Sequence, residues 1–233
     1  MPTVLITGAS RGYGRELLHV FASKKWVTFA LVRNISIAAE LESLYGSDCH
    51  AIVGDVALDS VQDKIVEVLG KYTNSLDLLI NNAGNIRKNR GIDKADAVEL
   101  MDHFNVHCIG SLRCIKAALP FLKESPAPVV VNITSRWGSI SRTVSGTTGL
   151  IYSYQIAKCA QNMLTACLFY ELKAFNIKVL AVHPGRLKTS VGAPDADVDP
   201  REAAEKLYDW LARIDNDMEC KCYDVTNNAT IDW

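Results

Sequence analysis

Tyr154 and Lys158 stand four residues apart. On a helix that spacing puts both side chains on one face, a single turn from each other. A free tyrosine has a pKa of about 10, too high for easy proton exchange near neutrality. A neighbouring ammonium would favour the tyrosinate and bring that value down. Such a pair can give a proton to an oxygen on which charge develops, or take one from it. Tyr152 competes for this role, but the residue four positions on is Ile156, so it lacks the cation. Each residue alone also fits a plainer role: Tyr154 as a helix-facing aromatic, Lys158 as a solvated charge.

A second chemical signal opens the chain. Thr7-Gly8-Ala9-Ser10-Arg11-Gly12-Tyr13-Gly14 follows an apolar strand and precedes a helical pattern. Glycines let the backbone turn sharply and approach a pyrophosphate closely. A helix start presents free N–H groups and a partial positive charge to that anion. A tight turn with no ligand is the plainer alternative. The end of the second strand reads Ala30-Leu31-Val32-Arg33-Asn34, with no acid to accept from a ribose 2′-hydroxyl. Arg33, helped by Arg11, would instead meet a 2′-phosphate, so the expected cofactor is NADP(H).

These residues need a scaffold. Short apolar runs at 3–7, 26–32, 50–54, 77–80, 128–134, 177–182 and 221–226 read as strands. Val129-Val130-Val131 and Leu78-Leu79-Ile80 lack polar alternation, as strands covered on both faces do. Between the strands lie helix-period stripes such as Val61, Ile65, Val68 and Leu69. Asp199-Pro200-Arg201-Glu202 marks a helix start, a capping residue followed by proline at the first helical position. The fold class expected is α/β: a doubly wound parallel sheet (Rossmann) of about seven strands with helices on both faces. Long helices are expected over about 98–123 and 153–174. Segments 136–151 and 186–198, rich in Gly, Ser, Thr, Pro or Asp, read as loops beyond strand ends, where ligands bind in such sheets.

The chain has 233 residues and a net charge of −1, which suits one domain spanning 1–233 and gives no basic footprint for nucleic acid or a membrane surface. No leader pattern and no membrane-length apolar run is evident, so a cytoplasmic location is the expectation. Seven cysteines, an odd number without a Cys-x-x-Cys pair, argue against a disulfide framework. His103 and His107 share a helix face, but Phe104 stands where a zinc motif needs Glu, so a packed or solvated pair is expected and no metal.

Taken in order, Asn81-Asn82-Ala83-Gly84, Asn105, Ser135, Tyr154-Gln155-Ile156-Ala157-Lys158 and Pro184-Gly185 with Thr189 beyond resemble the motifs of the short-chain dehydrogenase/reductase family. The match covers nearly the whole chain. Tyr152-x-Tyr154 and His183-Pro184-Gly185-Arg186-Leu187-Lys188-Thr189 look most like its small C-factor/carbonyl-reductase-like branch. The resemblance implies an NADPH-dependent oxidoreductase acting on a carbonyl or alcohol, with a catalytic tetrad of Asn105, Ser135, Tyr154 and Lys158. Ser135 would bind the substrate oxygen, Lys158 would also hold the nicotinamide ribose, and Asn105 would hold a water linking Lys158 to solvent. It places Gly8, Ser10, Arg11, Tyr13 and Gly14 along the pyrophosphate side. Arg33, Asp55 and Val56 would lie at the adenosine, and Asn82, Ala83 and Gly84 beside the central sheet. Pro184, Gly185 and Thr189 would meet the nicotinamide. Trp137, Tyr152 and residues 186–194 would line the substrate side. Arg136 and Arg142 would favour an anionic or polar substrate, unless they are solvated loop charges. Loop 136–151 is longer than in most members, and Ala157 replaces a frequent serine. The family's usual association implies a homodimer or homotetramer. A non-catalytic dinucleotide sensor on the same fold is the alternative.

Overall fold

Alternation along the first strand sets the layers of the molecule. The computed structural model describes every residue except Arg87, Lys88, Thr148, Val191, Ala193, Pro194 and Asn216. In β1 (Thr3–Thr7), Val4 and Ile6 enter one apolar cluster while Leu5 enters another on the opposite face, and all three are fully buried. A strand covered on both sides has no polar face, which is why its sequence lacks alternation.

Around it lie β2 (Val27–Val32), β3 (Cys49–Val53), β4 (Leu78–Asn81), β5 (Val129–Ile133), β6 (Lys178–His183), β7 (Cys222–Asp224) and β8 (Ala229–Ile231). The sheet order is β3-β2-β1-β4-β5-β6-β7-β8. All neighbours run parallel except β7 and β8. The sequence reading gave about seven strands and missed β8. Its three residues, Ala-Thr-Ile, are too short to show a period. The reversal is made by Asp224, whose Oδ1 accepts from the N–H groups of Thr226 and Asn227, and by Asn228 at φ 50°.

Helices α1 (Gly12–Ser23), α2 (Ile35–Tyr45) and α8 (Pro200–Leu211) cover one face of the sheet. The other face is covered by α3 (Val61–Tyr72), α5 (Gly110–Lys123) and α7 (Tyr152–Leu172). The helix expected over 98–123 is present, with a π-helical turn inside it. It runs as α4 (Ala97–Phe104), a π-helical turn (Asn105–Ile109) and then α5. The segment 136–151 is less irregular than expected. Ser135 caps a 3₁₀ turn (Arg136–Gly138) through Trp137 N–H, and Ser139 caps the short helix α6 (Ile140–Val144) through Arg142 N–H.

The chain order reverses between β1 and β4, so the loops at the carboxyl ends of those strands diverge and leave a crevice. Among the described residues no helix is long and apolar enough to cross a membrane.

The predicted start of α8 is realised: Asp199 Oδ1 accepts from Arg201 N–H at 2.8 Å and Glu202 N–H at 3.3 Å. Replacing Asp199 by Ala leaves two helix-end donors without that partner and should lower unfolding stability by roughly 0.5–2 kcal/mol in urea titrations.

Candidate active site

A cavity of about 420 Å³ lies in this crevice. Its floor is the first turn. Gly14 lies so close to the preceding strand end that a Cβ there would come within 2.3 Å of the Gly8 carbonyl and 2.5 Å of Asn82 Nδ2. Asn82 is what holds that strand end: its Nδ2 donates to Thr7 O at 2.9 Å, and the N–H groups of Asn82 and Ala83 donate to Thr7 Oγ1. The N-terminus of α1 then faces the cavity with no side-chain cap and no acid in its first turn. Its N–H groups are open to an anion. α2 and α8, by contrast, are capped by Asn34 and Asp199.

Gly8, Ser10, Arg11, Tyr13 and Gly14 all line the cavity, as do Arg33, Asp55 and Val56 at one end. Asn82, Ala83, Gly84, Ser135, Tyr154, Lys158, Pro184, Gly185 and Thr189 line it as well. Arg33 is mostly exposed and lies 3.8 Å from Asp55, a loose ion pair that leaves the guanidinium free to turn. Tyr13 packs in the core, with its hydroxyl buried and without a hydrogen-bond partner among the described residues.

Tyr154 and Lys158 project from the first two turns of α7. Lys158 is 4% exposed, and its ammonium donates to Ile133 O at 2.7 Å and Gln161 Oε1 at 3.0 Å. Burial brings its pKa down to about 7. Burial acts the other way on Tyr154, raising the phenol to about 12, against which hydrogen bonding to Ser135 works. The ammonium lies 5.8 Å from the centre of the Tyr154 ring. In both groups burial is the leading cause of the shift, and it opposes the charged form of each. Ser135, whose hydroxyl hydrogen-bonds the Tyr154 phenol, sits just past the end of β5, and its Oγ accepts from Trp137 N–H.

Asn105 is the exception among the expected site residues. It does not line the cavity. Its Nδ2 donates to Ala57 O at 3.0 Å and its Oδ1 accepts from Arg113 at 2.8 Å. Successive helical residues are about 100° apart, so Asn105 and His107 point in nearly opposite directions. The residue that faces Tyr154 is His107, its ring edge-on to the phenol ring at 5.4 Å. The sequence reading saw His103 and His107 as a packed or solvated pair. They are packed and buried, with ring centres 5.9 Å apart. The signal for placing His107 was its membership of the same helix, two residues past Asn105, but the π turn that sets its direction has no sequence mark.

On the substrate side, Trp137 lies edge-on to Tyr154 at 6.3 Å and lines the cavity, with Arg186, Leu187, Thr189, Ser190 and Gly192. Tyr152 does not line it, because it is the first residue of α7 and lies about 200° round the helix from Tyr154. Val191, Ala193 and Pro194 of the same expectation lie outside the described residues. Arg136 and Arg142 line an adjoining cavity of about 320 Å³ with His183 and Arg186. Burial, then the charges of Arg186 and Arg142, bring the pKa of Arg136 down. The Arg142 Nε and His183 Nδ1 are buried without hydrogen-bond partners among the described residues, so these are not simply solvated loop charges.

Residues 2–199 match the family model described as short chain dehydrogenase. The C-signal of Myxococcus xanthus is 32% identical over 124 residues, covering 53% of this chain and 73% of that protein. The NADPH-dependent 3-dehydrocapnine reductase of Ornithobacterium rhinotracheale is 28% identical, covering 92% of this chain and 79% of its own length. The NADPH-bound carbonyl reductase from chicken fatty liver superposes with a TM-score of 0.91 at 25% identity, over 100% of this chain and 99% of that one. With the ordered motifs found at the matching strand ends and the doubly wound sheet behind them, this chain belongs to the short-chain dehydrogenase family.

Proposed function

We propose that this protein is an NADPH-dependent reductase of carbonyl compounds, reversible as an alcohol dehydrogenase, with Tyr154 as general acid and base. One observation carries the reading: Tyr154, Ser135 and Lys158 converge on the same cavity into which the uncapped start of α1 opens. One domain supplies both halves of the site, with Arg186, Leu187, Thr189, Ser190 and Gly192 on its substrate side.

The cavity fits a dinucleotide. The close approach at Gly14 would not survive a side chain. The α1 N–H groups suit a pyrophosphate, and Arg11 and Arg33 suit a 2′-phosphate, with no acid after β2 to favour a free hydroxyl. NADPH is also what the named reductase relatives use. When bound, the cofactor supplies the hydride that reduces the carbonyl carbon. The oxygen left behind gains negative charge and needs a proton. Ser135 stabilises that charge by hydrogen bonding, and Tyr154 gives up the proton. Negative charge in the cleft favours protonated Lys158, which then stabilises the tyrosinate. Asp55 and Val56 bound the adenosine end, and Asn82, Ala83, Gly84, Pro184, Gly185 and Thr189 close the sides.

Apolar side chains left exposed on α4 and α7 support association through these helices. Val98, Met101, Met163 and Tyr170 are each more than 60% exposed. Analytical ultracentrifugation should show a dimer or tetramer, and Met163→Lys should weaken it.

Nicotinamide absorbance with a panel of aldehydes, ketones and quinones tests the chemistry. Tyr154→Phe should lower turnover by about 100-fold or more while NADPH binding stays within about threefold. NADPH binding without turnover on any panel member would overturn the enzyme reading.

The buried amine gives a second test. Lys158 has a folded pKa of about 7 against an ordinary 10.5, so between those values the unfolded chain holds more protons. Stability therefore rises with pH across that window. Lys158→Met should lose activity yet melt at a higher temperature than wild type near pH 7, and that gap should shrink as pH approaches 10.5. An unchanged gap would show that the amine is not held in a desolvated site.

A further inference from the structure

The second cavity, about 320 Å³, opens off the wall of the first: Arg136, His183, Gly185 and Arg186 line both. Its four cations are not equally engaged. Arg186 pairs with Asp195, and Lys206 with Glu202 at 2.8 Å. Arg136 and Arg142, both half-buried, form no ion pair among the described residues. The Arg142 Nε is buried and meets no acceptor there, and Nδ1 of His183, a residue 6% exposed, has no partner either. An arginine nitrogen can only donate, so its burial in a polar cavity calls for an acceptor.

Three separate elements bring these groups to one space. Arg136 follows Ser135 directly and opens the 3₁₀ turn. Arg142 lies on α6, which is tied down by Ser139 Oγ donating to Asp232 O and by Ser141 N–H donating to Trp233 O at 3.1 Å. His183 is the last residue of β6. Burial, against the charge of Asp224 and with those of Arg136 and Arg142, brings the His183 pKa down to about 4, so its ring is neutral and can donate from one nitrogen. Two acids also line the cavity. Asp224 is engaged in the β7–β8 turn, where it accepts from Thr226 and Asn227 at 2.8 Å each. Asp197 forms no ion pair with either arginine. Guanidinium groups gathered in this way repel until an oxyanion joins them, and their forked donors match its oxygens. The two acids in the wall disfavour a doubly charged group, so the anion that fits is a carboxylate.

We propose that the second cavity binds a carboxylate of the substrate, so that the compound reduced is an oxo acid. Its carbonyl lies at Ser135 and Tyr154, and its carboxylate accepts from Arg136, Arg142 and His183. The inference rests on the reductase reading and names a substrate class for it. Arg136, next to Ser135 in the chain and shared by both cavities, stands between the two ends of such a molecule. The carboxylate oxygens give Arg142 Nε the acceptor it lacks, and His183 Nδ1 donates to them in its N–H tautomer. This anion site is separate from the one offered to the cofactor phosphates: Gly8, Gly14, Arg11 and Arg33 line only the first cavity.

A homologous series of ω-oxo carboxylic acids, each beside its methyl ester, tests the subsite with NADPH saturating. Wild type should favour at least one acid over its ester by about tenfold or more in kcat/KM. Arg142→Met should bring that ratio to about threefold or less, and Arg142→Lys, which keeps the charge but not the fork, should retain part of it. The ratio is taken within one protein, so a general loss of activity cancels. An arginine that only holds the loop would depress acid and ester alike and leave the ratio as it was, which would overturn the inference. If the variants do not fold, inhibition of the wild type decides. The alkanoate matching the best acid should compete with it, and the corresponding alkanamide should not. Equal inhibition by the two, or none by the alkanoate, would refute the subsite. Turnover confined to uncharged carbonyl compounds, or equal turnover of acid and ester, sinks this inference alone. Turnover of no carbonyl compound by a protein that binds NADPH sinks the reductase reading itself.

Discussion

The site depends on an ammonium held out of water. Lys158 sits in the interior, where a charge is costly, and is tolerated because Ile133 O and Gln161 Oε1 accept from it. Those two acceptors come from different elements, the end of β5 and the next turn of α7. The position of the amine therefore records how α7 lies on the sheet.

Around that amine runs a set of buried polar bonds that lock the same two elements. Asn132 donates to Thr165 Oγ1 at 2.9 Å and accepts from Asn81 at 2.9 Å. Thr134 donates to Asn162, whose own amide donates to Gly138 O. Buried networks of this kind are costly if half made and rigid if complete. Here they tie β4, β5, the 3₁₀ turn after Ser135 and the face of α7 that carries Tyr154. On the far side of the cleft Glu99, buried on α4, accepts from Ser153 and Asn89 at 2.6 Å each, pinning the start of α7. The hydroxyls of Ser135 and Tyr154 are thus placed by side chains that touch no reacting atom.

The electrostatics follow from the same burial. It lifts the phenol and lowers the amine, which moves the two pKa values apart, to about 12 and about 7. The same desolvation that disfavours Lys158 as a cation strengthens any ion pair it forms.

Local residue order settled a great deal about this protein. Runs such as Val129-Val130-Val131 read as strands covered twice, and the four-residue spacing of Tyr154 and Lys158 reads as one helix face. Asp199-Pro200 announced a helix start because capping chemistry is local. The glycine turn was legible because a strand, a turn and a helix start are consecutive in the chain. What the order of residues left open was every choice made by packing across the fold. β8 exists because β7 offers it an edge. The helix near 98–123 contains a π turn because α4 must meet α7 while α5 meets the sheet, and one extra residue absorbs that difference in direction. That turn decided between Asn105, which is spent on Ala57 and Arg113, and His107, which faces Tyr154. Two residues on one helix carry no mark of which neighbour they will meet, since that is set by the rotation of the whole helix against partners far away in the chain.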